Sequence, residues 1–130
     1  MKKFLLIGMF FFSCIAFASA QSALNASKST LTNADTSYLT APRLGAPYTV
    51  LSIQLNVTKI SGTVAGTAVV QGSIDGINYT SISSDTLNLV NGNNIKLWAL
   101  GNAQYPYHRV VVITNGTQSS SVNGLVWYNR

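Results

Sequence analysis

Residues 47–130 predict an all-β fold: one antiparallel β-sandwich, jelly-roll-like, with about seven or eight strands. Three observations predict it. Apolar and polar residues alternate with period two over most of this stretch. Pairs and runs of Gly, Asn and Asp break the alternation at short intervals. No segment carries the apolar spacing of an amphipathic helix, while Thr, Val, Ile and Tyr are abundant. Alternation between turn signals is the mark of half-buried strands, and a run of such strands must close into a sandwich or barrel.

The elements follow in chain order. Lys2 and Lys3 precede an apolar run from Phe4 to Phe17, and Ala18-Ser19-Ala20 supplies small residues at −3 and −1. That is a secretory signal, with cleavage expected before Gln21. Removal of 20 of the 130 residues leaves a mature chain of 110. It also removes two lysines, so the net charge falls from +5 to +3. The single cysteine, Cys14, lies in the apolar run, so the mature chain has no disulfide; lipid attachment at Cys14 is the alternative reading.

Residues 21–46 are polar and poor in large apolar groups, with Pro42, Gly45 and Pro47 near the end. They read as an extended N-terminal arm with one strand over Thr36–Thr40 and no core of its own. Such an arm can lie on its own domain or add to a neighbour's sheet edge, and the second case makes Gln21, Leu24, Leu31, Tyr38 and Leu39 candidate assembly contacts.

Leu51, Ile53, Leu55 and Val57 alternate with Ser52, Gln54, Asn56 and Thr58, a strand that Gly62 is expected to end. Ala68, Val70, Gly72 and Ile74 form the next inward set. Asp75-Gly76 signals a tight turn, after which Ile77–Ile82 returns as a strand. Leu87 and Leu89 mark a short run before the turn at Asn91-Gly92-Asn93-Asn94. Ile95, Leu97 and Ala99 then alternate with Lys96, Trp98 and Leu100, and only one of these two sets can face the core. Tyr105–Thr114 is the most β-prone segment. Its consecutive Val110, Val111, Val112 and Ile113 suggest a central strand covered on both sides. Tyr107 and Arg109 share a parity with Val111 and Ile113, which favours that parity as the core side. Asn115-Gly116 turns the chain, and Val122–Tyr128 closes the domain.

The titratable inventory argues against an enzyme. Asp35, Asp75 and Asp85 are the only acids, and glutamate is absent. General acid–base chemistry needs converging groups with split pKa values, and these three sit in separate turns and loops. His108 is the only histidine, which excludes a several-histidine zinc site within one chain. Asp75 and Asn78 offer two side chains in one turn, too few for calcium. No metal or cofactor is expected. The six bases of the mature chain, Lys28, Arg43, Lys59, Lys96, Arg109 and Arg130, stand singly, so nucleic-acid binding is not expected. No apolar run after residue 20 is long enough for a helix to span a bilayer. Sequons at Asn25, Asn56, Asn78 and Asn115 match the frequency expected by chance in so Asn/Ser/Thr-rich a chain. The aromatic side chains of the last third are the groups best suited to bind something, and Trp98, Tyr105 and Tyr107 form the candidate patch for a glycan.

Two stretches carry a resemblance. Val70-Gln71-Gly72-Ser73-Ile74-Asp75-Gly76-Ile77-Asn78-Tyr79 resembles a hairpin of discoidin-like and other small β-sandwich modules. Tyr105-Pro106-Tyr107-His108-Arg109-Val110 resembles a later strand of such modules. The frame from Asn56 to Thr67 that precedes the first is similar to small β-sandwich proteins of Bacteroidota-type bacteriophages and their hosts. Over residues 47–130 the resemblance implies a virion-surface or cell-surface decoration role. With the signal segment and the charge-poor composition, the expectation is a secreted, non-catalytic structural protein that forms a homo-oligomer or larger assembly. A secreted glycan-binding module is the alternative.

Overall fold

The computed structural model describes residues 20–45, 50–102 and 104–129. Of the expected signal peptide only Ala20 falls among them; the rest, and the cleavage itself, lie outside the described residues.

Among the described residues there are eleven strands and no helix. They are β1 (Ala20–Ala23), β2 (Asn25–Ala26), β3 (Thr30–Thr32), β4 (Thr36–Thr40), β5 (Val50–Thr63) and β6 (Gly66–Ser73). Then follow β7 (Thr80–Ser81), β8 (Leu87–Leu89), β9 (Asn94–Gly101), β10 (Tyr107–Thr114) and β11 (Thr117–Asn129). The first sheet runs β1-β11-β5-β9, with β3 also on β11. The second runs β2-β4-β10-β6-β7, with β8 also on β6. Every pairing is antiparallel.

The pairs nest. β1 lies on β11, β4 on β10, β5 on β9 and β6 on β7 and β8, so the chain is a long folded hairpin rolled into two facing sheets. That is jelly-roll topology, as the sequence predicts. Residues 47–130 hold seven of the strands, β5 to β11, within the number expected there; the other four, β1 to β4, come from residues 20–40.

The core lies between the sheets. Leu51, Ile53, Leu55 and Val57 of β5 are all essentially inaccessible, and the period-two pattern over them is the pattern of burial. They share the core with Ala68 and Val70 of β6, Val110 and Val112 of β10, and Val122 and Val126 of β11.

The structure corrects five expectations. First, residues 21–46 do not stand apart from the core. β1 to β4 alternate between the two sheets, and Leu24, Leu31, Leu39, Ala41 and Leu44 are buried in the common core. Their apolar residues are sparse but fall where the segment crosses between sheets. Second, Gly62 does not end its strand. At φ 71° it carries β5 on to Thr63, past a bulge opposite Ser119/Ser120. A Cβ there would meet the Thr117 carbonyl oxygen at 1.8 Å, so only glycine fits. Third, Ile74 leaves the inward set and is 76% exposed. Fourth, the returning strand over Ile77–Ile82 shrinks to Thr80–Ser81, because Ser73 caps the Gly76 N–H and Asp75 caps those of Ile77 and Asn78 in a side-chain-held loop. Fifth, the phase of β10 is reversed. His108, Val110, Val112 and Thr114 face the core, while Tyr107, Arg109 and Ile113 face outward. Four consecutive β-branched residues carry no phase of their own. The buried partners Val70 and Ala68, opposite Val110 and Val112, set it. Val111 sits on the outer side and is 5% exposed between Tyr38 of β4 and Val69 of β6. Ile113 on the same side is 46% exposed, so the strand is covered on its core side and not fully on the other, against the expectation of cover on both.

Candidate functional site

The structure disperses the candidate patch. Trp98 is 2% exposed, inside the core, and its indole Nε1–H donates to the Asp85 carbonyl at 2.6 Å. A buried indole needs such a partner, and here it finds one. This decides the β9 phase: Trp98 is core, while Ile95 and Leu97 face outward, 70% and 60% exposed. Tyr105 is half-buried and lies edge-on to His108, ring centroids 6.2 Å apart. Tyr107 sits on the outer side of β10 with its ring over Gly76. The three do not form one surface. Of the candidate assembly contacts, Leu24, Leu31 and Leu39 are in the core of their own domain, so they are not available to a neighbour. Gln21 and Tyr38 are exposed, on opposite sheets.

Two outer faces remain. The outer face of the first sheet is built from alternate residues of β1, β11, β5 and β9. Register places Leu125, Gln54 and Leu97 in one row, Trp127, Ser52 and Ala99 in the next, and Asn123, Asn56 and Ile95 in a third. Across its middle runs a ladder of amides: Gln54 Nε2 donates to Asn56 Oδ1, and Asn56 Nδ2 to Asn123 Oδ1, each at 3.0 Å. Among the described residues no charged side chain stands on this face. Lys59 and Lys96 belong to its strands but lie on the opposite parity, where Lys59 Nζ reaches Asn91 and Lys96 Nζ pairs with Asp85.

The outer face of the second sheet is of another kind. Arg109 lies between two tyrosines, its Cζ 4.6 Å from the Tyr38 ring centroid and 3.9 Å from that of Tyr79. Its Nε–H donates to Gln71 Oε1 at 2.8 Å, which fixes the plane of the guanidinium. Next to it on the same side of β10, Tyr107 carries Arg43 over its ring at 5.5 Å. Neither arginine forms an ion pair among the described residues.

All three side-chain carboxylates are engaged elsewhere. Asp35 pairs with Lys28 and also accepts the Thr36 N–H, and these two contacts, in that order, hold its carboxyl below the usual range. Asp85 pairs with Lys96. Asp75 accepts the N–H groups of Ile77 and Asn78, the Asn78 amide and the Ser73 hydroxyl, which keep it ionised far below the usual range. Asn78 donates into this loop, so its amide is already used within it. Among the described residues no group of three or more His, Cys, Asp or Glu side chains could hold a metal ion.

His108 is 1% exposed, and burial pushes its pKa down to about 4. Its Nδ1 is buried with no hydrogen-bond partner among the described residues. A cavity of about 150 Å³ lies beside it, lined by Ile82, Leu100, Asn102, Gln104 and Tyr105.

These features define a jelly-roll β-sandwich with one uncharged and one cationic-aromatic outer face. No family model matches the chain. No curated protein matches it either. Several solved structures are similar to it at low identity. The tobacco streak virus coat protein has 12% identity and a TM-score of 0.49, over 86% of this chain and 86% of that one. A structure described as "CBM4 structure and function" has 11% identity and a TM-score of 0.40, over 82% of this chain and 89% of that one. A chain of the infectious bursal disease virus Gx strain has 12% identity and a TM-score of 0.39; the match covers 88% of this chain and 29% of that one.

Sequence reasoning did not single out Arg109, Tyr79 and Gln71, or Ile95 and Leu97. In β9 both alternating sets carry apolar residues, and the partner that lets the Trp98 indole be buried, the Asp85 carbonyl, is a contact the sequence does not display.

Proposed function

We propose that this chain is a non-catalytic extracellular structural subunit that assembles through the outer face of its first sheet. It packs there against copies of itself, as part of a filament, cell coat or phage particle. The observation that carries this reading is the absence of charge from that face together with its exposed Trp127, Leu97 and Ile95. Burying such a surface desolvates no ion and brings no like charges together, while each Å² of apolar area removed from water contributes about 25 cal/mol. Few charges elsewhere on the chain oppose association.

Light scattering coupled to size-exclusion chromatography on residues 21–130 tests it. A concentration-dependent oligomer is expected, and Trp127→Glu together with Leu97→Glu should return a monomer of unchanged melting temperature. A monomer at all concentrations, with none of the native protein on particles or cell surfaces, overturns it. Mass spectrometry of the native N-terminus tests export, with Gln21 the expected first residue.

A second reading is a secreted carbohydrate-binding module. Exposed Tyr38 and half-buried Tyr79 and Tyr107 on the outer face of the second sheet favour it, in place of the buried Trp98.

A further inference from the structure

We propose that the outer face of the second sheet is a binding site for an acidic polysaccharide, with Arg109 as the group that receives its carboxylate or sulfate. The inference rests on the carbohydrate-binding reading and specifies the charge of the ligand.

The argument starts from Arg109. A guanidinium presents five N–H donors in a planar fork that matches a carboxylate or sulfate with two parallel hydrogen bonds. Here the plane is set before any ligand arrives. Tyr38 and Tyr79 hold it from the two sides, and Gln71 takes the Nε–H. The donors on the two terminal nitrogens have no partner among the described residues. Side-chain ordering, a large part of the penalty for binding through arginine, is therefore already met.

The charge inventory then disfavours the nearest source of an anion, a second copy of this chain. Its three side-chain carboxylates are each engaged within their own fold, by Lys28, by Lys96 and by the Asp75 loop. The sequence contains no glutamate to replace them. With the chain's own side-chain carboxylates in use, the better source of the anion is a different molecule.

The surroundings favour a sugar chain. Tyr107 and Arg109 are two residues apart on one strand, so their side chains stand about 7 Å apart on one side. Arg43 over Tyr107 repeats the pairing of guanidinium and ring. Tyr38, 41% exposed, is the ring open to sugar C–H groups, while Tyr79 and Tyr107 are occupied by Arg109 and Arg43 and serve to hold the guanidiniums whose donors meet the acid. Two isolated arginines are too few to track the phosphates of a nucleic acid.

Isothermal titration of residues 21–130 with a galacturonic acid hexamer, its methyl-esterified counterpart, dextran sulfate and hexaglutamate tests the site. Binding of the acid hexamer or dextran sulfate is expected, and the one that binds identifies the anion. It should weaken at least tenfold in Arg109→Gln and weaken again as salt is raised. Arg109→Lys keeps the charge but not the fork, and should lose most of the affinity as well. Arg43→Gln, at an exposed position, should weaken binding about threefold without touching the core. Circular dichroism melting of each variant separates lost binding from lost folding. Equal binding of the methyl ester overturns the acidic ligand and leaves the carbohydrate reading standing. Silence of all four ligands removes both. Hexaglutamate binding as well as the sugars, or full binding by Arg109→Gln, overturns the site as proposed.

Discussion

The two outer faces of this sandwich are made from the same kinds of strand and end in opposite chemistry. On the first sheet the outward positions of β5, β9 and β11 hold amides, hydroxyls and apolar groups, and the lysines of those strands fall on the other parity. On the second sheet the outward positions of β4 and β10 hold Tyr38, Tyr107 and Arg109, with Arg43 close by. Strand alternation makes this cheap to arrange, because a single residue of phase decides whether a charge is displayed or withdrawn. One side can then be buried against another surface while the other stays solvated and able to meet a charged ligand.

The largest expected effect breaks both faces at once, through the core they share. Leu39 is inaccessible and belongs to the N-terminal segment. Leu39→Ala should lower stability by roughly 2–5 kcal/mol, read by urea unfolding. A loss below about 0.5 kcal/mol would mean that this segment does not hold the sandwich together.

Acidification acts next, from behind the second sheet. Burial pushes the His108 pKa down to about 4 from the ordinary 6.5 of a histidine. Its depressed value means the unfolded chain binds the proton more readily. Stability is full above about pH 6.5 and falls as pH drops toward 4, by at most roughly 3 kcal/mol. His108→Gln should flatten the stability profile over that window. Among the described residues the outer face of the first sheet holds no titrating side chain, so association through it should stay constant while folding holds.

A smaller effect separates the faces directly. Trp127→Glu places a charge on the uncharged face and should weaken self-association by tenfold or more, as measured by analytical ultracentrifugation, with little change in melting temperature. The same variant should bind acidic sugars as before. Raised salt should weaken only the second-sheet interaction, since screening acts on charges.

The smallest expected effect concerns the amide ladder. Asn123→Ala removes the acceptor of Asn56 at an exposed position. It should change stability by less than about 1 kcal/mol, and self-association by a few-fold.

Much of the fold is legible in the sequence where one parity is polar. Leu51 to Val57 alternate cleanly with hydroxyl and amide residues, and their burial follows that alternation. Legibility fails where both parities are apolar. Val110–Ile113 and Ile95–Leu100 each allow two phases, and the difference is the whole of what each face displays. It fails again in residues 21–46, whose few leucines have no periodicity because consecutive strands there join different sheets. Asp75 shows a third case: the turn was legible, while its capping of the Ile77 and Asn78 N–H groups, beside Ser73 capping that of Gly76, shortened the strand expected after it.

By itself the sequence determined the all-β class, the jelly-roll-like sandwich and the scarcity of acid–base groups, since alternation, turn residues and composition are local properties of a chain. Tertiary structure alone decided that Trp98 and His108 are core, that Arg109 lies between Tyr38 and Tyr79, and that the first sheet's outer face is free of charge. Those facts depend on strand phase and on pairings between distant residues, such as Arg109 with Gln71, and phase is set by the sum of buried contacts rather than by any one residue.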